Sequence, residues 1–208
     1  MLPSEFSERL PRNAPFVLLD DARAERSVPA RLFLNPTQMI EAESRADVMR
    51  LIDWLGSEAQ DPAARLAGYL SYEAGATLEA RLAAAVKPDP AGLGFGWFAR
   101  FQKMERIAPE AMQALLPDPE GAWGAQPAPH ISRSEYDAAI ARILDYIAAG
   151  DIYQANLTFM TTVRFGGHPL ALYARLRERQ WAGCGGIIFT GTQWALCFSP
   201  ELFLSLKG

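Results

Sequence analysis

The sequence predicts an α+β protein built mostly on antiparallel sheets. Three observations carry that expectation: β-type runs recur along the chain, discrete stretches of helical periodicity punctuate them, and several connections between runs have hairpin character. No internal repeat is visible, and low complexity is confined to one proline-rich stretch.

The elements follow in order. Phe16 to Asp20 is a short apolar run broken by Asp20-Asp21, a strand and a turn. Ala30 to Leu34 and Gln38 to Ala42 read as two further strands separated by the turn pair Asn35-Pro36. Val48, Leu51, Ile52 and Leu55 share one face at helical spacing, and Asp61-Pro62 follows that helix. Leu66 to Tyr72 is apolar enough for a strand, and Glu73 to Ala85, rich in Ala and Leu, predicts a helix. Gly92-Leu93-Gly94-Phe95-Gly96 sets closely spaced glycines where a strand begins, and Phe95 to Ile107 reads as one or two strands. Pro109 to Leu116 is a short helix with proline in its first turn.

Pro117 to Pro129 holds four prolines and two glycines. It predicts a linker over 117–131, dividing the chain into an N-terminal region, 1–116, and a second domain begun over 132–208. Ser132-Arg133-Ser134-Glu135 has the pattern of a capping box. The helix it opens carries Tyr136, Ile140, Ile143, Leu144 and Ile147 on one stripe, and Gly150 is placed to end it in the left-handed conformation. Ile152 to Phe165 is strand-like, rich in threonine. Leu170 to Gln180 predicts a helix with Leu172, Tyr173 and Leu176 inward and Arg175, Arg177 and Arg179 outward. Ile187 to Thr190 and Trp194 to Phe198 flank Gly191-Thr192-Gln193 as a hairpin. In Leu202 to Lys207 the three leucines share one face of an alternating strand that nothing later in the sequence covers. The expectation is a piece of a longer polypeptide.

Composition narrows the function. Half of the 208 residues are hydrophobic and 21% charged, and the net charge of -4 leaves no basic footprint for nucleic acid. No apolar run approaches the ~18 residues of a membrane span. Met1 to Arg12 lacks the pattern of a signal peptide, so a cytoplasmic protein is expected. Cys184 and Cys197 read as two buried free thiols, with a disulfide across adjacent antiparallel strands as the alternative. His130 and His168 each neighbour a proline near a helix start, and no His/Cys spacing fits zinc. There is neither a Gly-x-Ser-x-Gly nor a phosphate-binding glycine loop.

The most informative run is Gly150-Asp151-Ile152-Tyr153-Gln154-Ala155-Asn156-Leu157-Thr158-Phe159, with Ser199-Pro200-Glu201 downstream. It resembles a motif of the chorismate-utilizing enzymes, in particular component I of the aminodeoxychorismate synthases. Two earlier segments are similar to the N-terminal region of the same family: Pro15 to Ala22, which holds Leu19, Asp20 and Asp21, and Gly68-Tyr69-Leu70-Ser71-Tyr72-Glu73-Ala74-Gly75. The resemblance covers the chain from about Pro15 onward.

The resemblance implies two large antiparallel sheets packed orthogonally with helices outside, in a fold this chain leaves incomplete. It implies chorismate as substrate, a glutaminase subunit that supplies ammonia, and in some members a lyase domain fused behind. It also implies Mg2+ bridging the substrate carboxylate to protein carboxylates, because unpaired charge in a partly dry pocket is expensive. Those metal ligands, and the lysine thought to attack first, belong to the family's later part, so no metal ligand is expected in this chain. Lys207-Gly208 is not that lysine segment: it comes a strand too early and lacks the threonine.

Gln154 is the catalytic candidate. Water-using relatives carry a lysine there as general base, whereas a glutamine amide accepts no proton at neutral pH and can only orient a nucleophile that needs no such help. Ammonia is one. Tyr153-Gln154 followed by Asn156-Leu157 resembles the aminodeoxychorismate synthases, with anthranilate synthase component I as the alternative and a non-catalytic binding or assembly module as a third reading. Leu19, Asp20 and Asp21 correspond to the family's tryptophan-binding turn, but Asp21 stands in place of its serine, and Trp181 to Gly186 lacks the proline-aromatic segment that completes it. No tight tryptophan site is expected. Exposed apolar faces predict that this chain associates as a homodimer.

Overall fold

The computed structural model describes residues 10–11, 13–23, 28–85 and 92–206. Lys207 and most of Met1 to Arg12 lie outside them. Six strands form one curled antiparallel sheet: β1 (Phe16–Asp20), β2 (Ala30–Ala42), β3 (Leu66–Leu70), β4 (Gly96–Ile107), β9 (Cys184–Phe189) and β10 (Trp194–Ser199). Their spatial order is β10-β9-β1-β2-β4-β3. Strands from both sides of the proline-rich stretch thus share one sheet.

β1 is the best-buried strand, and alternation explains how it serves two cores. Phe16 and Leu18 face one way, Val17 the other, and all three are fully buried. On the first side they join Leu32, Ile107, Ile187 and Phe189, covered by α3 (Pro109–Leu115) and α5 (Pro169–Gln180). On the second, Val17 packs with Phe33, Ala67, Trp97, Ala99 and Phe101 inside the curl.

β2 corrects one expectation. It is a single strand of 13 residues, not two strands and a turn. Asn35 takes φ 59 and the pairing with β4 shifts between Pro36 and Gln38, a bulge where proline's missing donor is tolerated. The turn-forming pair bends the strand without ending it. β4 is likewise one strand.

Helix α1 (Arg45–Glu58) begins with a capping box, Ser44 with Asp47, and buries Val48 and Leu51 against Ala42 and Ala74. The helix expected over Glu73 to Ala85 is broken. α2 (Tyr72–Leu78) stops where Glu79 turns extended, and a 3-10 segment, Ala80–Ala85, follows. Within the proline-rich stretch β5 (Ala122–Gly124) pairs with β8 (Phe165–Gly167), and β6 (Ala128–Pro129) with β7 (Thr161–Thr162).

Helix α4 (Arg133–Ala149) has the predicted capping box and ends at Gly150 as expected, yet none of its 17 residues is buried. Leu144 is 58% exposed and Ile147 39%. Two predicted strands are absent. From Ile152 to Phe165 only Thr161–Thr162 and the first residue of β8 are paired, and Leu202 to Leu206 form no ladder. β propensity cannot make a strand without a neighbouring edge to bond.

The hairpin of β9 and β10 matches expectation, with Gly191 at φ 104 in its turn. Both cysteines are free, but Cys184 is half-buried and Cys197 exposed. Cys197 faces Gly186 and Cys184 faces Ser199, so the thiols stand two residues out of register. α5 also departs from its predicted faces, since Arg177 turns inward to a buried carboxylate.

Candidate functional site

Gly150 adopts φ 82, ψ 9, a conformation cheap only for glycine. Its N–H donates to Ile147 O and that of Asp151 to Tyr146 O, which closes the end of α4. The chain then runs out extended. Its far end is held by three contacts: Phe159 meets Tyr136 edge to face with ring centroids 5.9 Å apart, the His130 N–H donates to Met160 O at 2.9 Å, and His130 Nε2 lies 2.6 Å from Thr162 Oγ1. Between these anchors Asp151, Tyr153, Gln154 and Asn156 are exposed, Tyr153 at 93%. Neither Gln154 nor Asn156 has a side-chain hydrogen bond among the described residues. The motif is a displayed segment, its amides free to engage a ligand or a further strand.

Ser199 closes β10, and its hydroxyl donates to Glu201 O at 2.9 Å. Pro200 and Glu201 are exposed. Among the described residues no hydrogen bond or ion pair joins Ser199-Pro200-Glu201 to the Gln154 segment.

The third candidate region is brought together. Leu19, Asp20 and Asp21 line a cavity of about 330 Å3 with Gly183, Cys184 and Gly185, because β1 and β9 are antiparallel neighbours. Asp20 is only 6% exposed. Tyr173 Oη donates to its Oδ2 at 3.0 Å, Arg177 Nε to the same oxygen at 2.5 Å, and Arg177 Nη2 to Oδ1 at 3.2 Å. Burial pushes the Tyr173 phenol well above its usual range and the Asp20 charge adds to it, while the hydrogen bond to Asp20 raises Arg177 further. Asp21 is clasped by Arg23, with Nε to Oδ1 at 2.9 Å and Nη2 to Oδ2 at 2.5 Å. That hydrogen bond holds the Asp21 carboxyl below the usual range against the opposing effect of burial. The guanidinium crosses Gly183, where a Cβ would meet Arg23 Cζ at 2.6 Å.

Sequence reasoning missed Arg177 as a site residue. The signal was present: Tyr173 and Arg177 are four apart and share a face of α5. Among the described residues no group of three or more His, Cys, Asp or Glu side chains could hold a metal ion. No described helix is long and apolar enough to cross a membrane.

Residues 14–208 match the family model described as chorismate binding enzyme. The chain belongs to the chorismate-binding enzyme family. It is 34% identical over 94 residues to aminodeoxychorismate synthase component 1 of Bacillus subtilis, covering 45% of this chain and 19% of that one. It is 33% identical over 116 residues to the 2-amino-4-deoxychorismate synthase of Streptomyces globisporus, 49% of this chain and 22% of that one. It is 38% identical over 77 residues to anthranilate synthase component 1 of Thermus thermophilus, 37% and 17% of the two chains. The chain spans about a fifth of the length of the curated relatives it matches. In this member of the family Gln154 offers an amide donor and an amide acceptor, with no capacity for proton abstraction at neutral pH.

Proposed function

We propose that this chain is the opening part of an aminodeoxychorismate synthase component I, which aminates chorismate toward p-aminobenzoate and so serves folate synthesis. Ammonia replaces the ring hydroxyl and water leaves. Gln154 orients the incoming amine, and Asn156, two residues on, would share its face once the segment is paired as a strand. Magnesium is held by carboxylates outside this chain, and a glutaminase subunit delivers the ammonia. In the whole enzyme the Gln154 segment becomes a paired strand of a second sheet packed orthogonally on the first, and the face of α4 is covered. Without that cover, two copies of the chain associate.

The observation that carries this reading is the display of Gln154 and Asn156, exposed and unbonded, between the left-handed cap at Gly150 and the anchor at Phe159.

The test is product analysis by mass spectrometry with chorismate, ammonium and magnesium. The full-length enzyme is expected to form aminodeoxychorismate and this chain alone none. Gln154→Ala should lower the full-length rate by about 100-fold or more, the range for a lost positioning group. Product from the chain alone, or a Gln154→Ala enzyme of full activity, would contradict the reading. The second reading, anthranilate synthase component I, is favoured by the 38% identity to the Thermus thermophilus protein. It predicts anthranilate and pyruvate in the same assay.

A further inference from the structure

Between α3 and α5 lies a cavity of about 310 Å3 that amination does not use. Its floor is apolar, with Leu116, Pro117 and Ala174 all buried. Its rim is polar and exposed. Glu110 and Gln113, three apart on α3, stand on one side, and Glu178 of α5 stands on the other. Arg177 also reaches this wall, but its Nε and Nη2 are committed to Asp20. The side chains of Glu110 and Glu178 have no ion-pair or hydrogen-bond partner among the described residues.

The backbone adds to the negative character of the rim. Leu116 and Pro117 follow the last turn of α3, and Glu178 lies in the last turn of α5. A helix C-terminus carries partial negative charge on carbonyls without donors. At α3 the chain cannot supply one of those donors, because the residue four after Gln113 is a proline, which has no N–H. Two carboxylates and two helix ends therefore border one cavity with an apolar floor. An arginine side chain answers both features. Its methylene stem packs on the floor, and the donors of its planar head reach carboxylates and carbonyls together. The exposed rim lets such a side chain enter while its own backbone stays outside. We propose that this cavity is a docking site for an exposed arginine of a partner protein. The inference is independent of the amination reading, and its test reads binding to the 208-residue chain without turnover.

The probes are capped tripeptides with arginine, lysine or citrulline between two glycines, titrated into the chain and followed by NMR chemical shifts. The arginine peptide is expected to bind saturably, at least about tenfold tighter than the neutral citrulline peptide, a difference of ~1.4 kcal/mol, with lysine between them. Glu110→Gln and Glu178→Gln should each weaken it by about threefold, and the double variant by about tenfold. Glu120→Gln, which removes an exposed carboxylate outside the cavity, should leave it unchanged. All three positions are exposed, so the variants keep the fold, which circular dichroism checks. The proposal is overturned by any of four results: no saturable binding of the arginine peptide, citrulline binding as tightly, a double variant that binds unchanged, or Glu120→Gln weakening binding as much as Glu178→Gln. Agmatine binding about tenfold tighter than the peptide overturns it in favour of a free small cation. Loss of peptide binding in the longer enzyme overturns it in favour of that chain's own later part.

Discussion

Asp20 joins β1 to α5 through two donors on one helix face. Arg177→Ala leaves a nearly buried carboxylate unpaired and should destabilise the chain by about 3–5 kcal/mol in urea titrations. Tyr173→Phe keeps the stack on Phe198, whose ring centroid lies 5.0 Å away, and loses only the hydroxyl. It should cost about 1–2 kcal/mol. Because the phenol is raised in the folded chain, its contribution is present below the ordinary tyrosine value near ~10 and is lost as pH rises beyond it. His168 works in the opposite range. Its Nδ1 accepts the Leu170 N–H at 3.2 Å to cap α5, and burial lowers its pKa. That stability is present above the unfolded value near ~6.5 and fades as pH falls through the folded value. His168→Asn, which keeps a cap acceptor, should flatten the loss in thermal melts between neutral and mildly acidic pH. The turn at Asp20-Asp21 was legible in the sequence. The inward turn of Arg177 was not, because a helix pattern puts charges outside until a buried carboxylate calls one in.

At the scale of elements, punctuation was read well and pairing poorly. The box at Ser132 and Glu135, the stop at Gly150 and the hairpin at Gly191 depend on local chemistry that a sequence displays. The continuity of β2 through Asn35-Pro36 depends on β4 lying alongside, and the ladder from Ile152 onward is missing because no described strand, the edge strands β3 and β10 included, pairs with it. Helix α4 makes the same point. Its apolar stripe stays unburied, so Leu144→Glu should change the stability of this chain by less than about 0.5 kcal/mol. Leu51→Ala, in the fully buried face of α1, should cost about 2–5 kcal/mol. Urea denaturation of the two variants side by side checks the contrast. In the longer enzyme proposed above, Leu144→Glu should instead become costly if α4 is covered there.

At the scale of the whole molecule, a sheet with both faces packed around β1 supports a segment that is anchored at both ends and bare between them. The sequence motif made that segment legible, and membership of the chorismate-binding family follows from the match over 14–208. What was not legible is its unpaired state, since a motif records residue types and not which edge completes them. The most direct measurement is to identify, by mass spectrometry, what the proposed full-length enzyme forms from chorismate and ammonium with magnesium present. Aminodeoxychorismate, lost on Gln154→Ala, is the predicted result. Anthranilate with pyruvate, or a product made equally well by the Gln154→Ala enzyme, would contradict it.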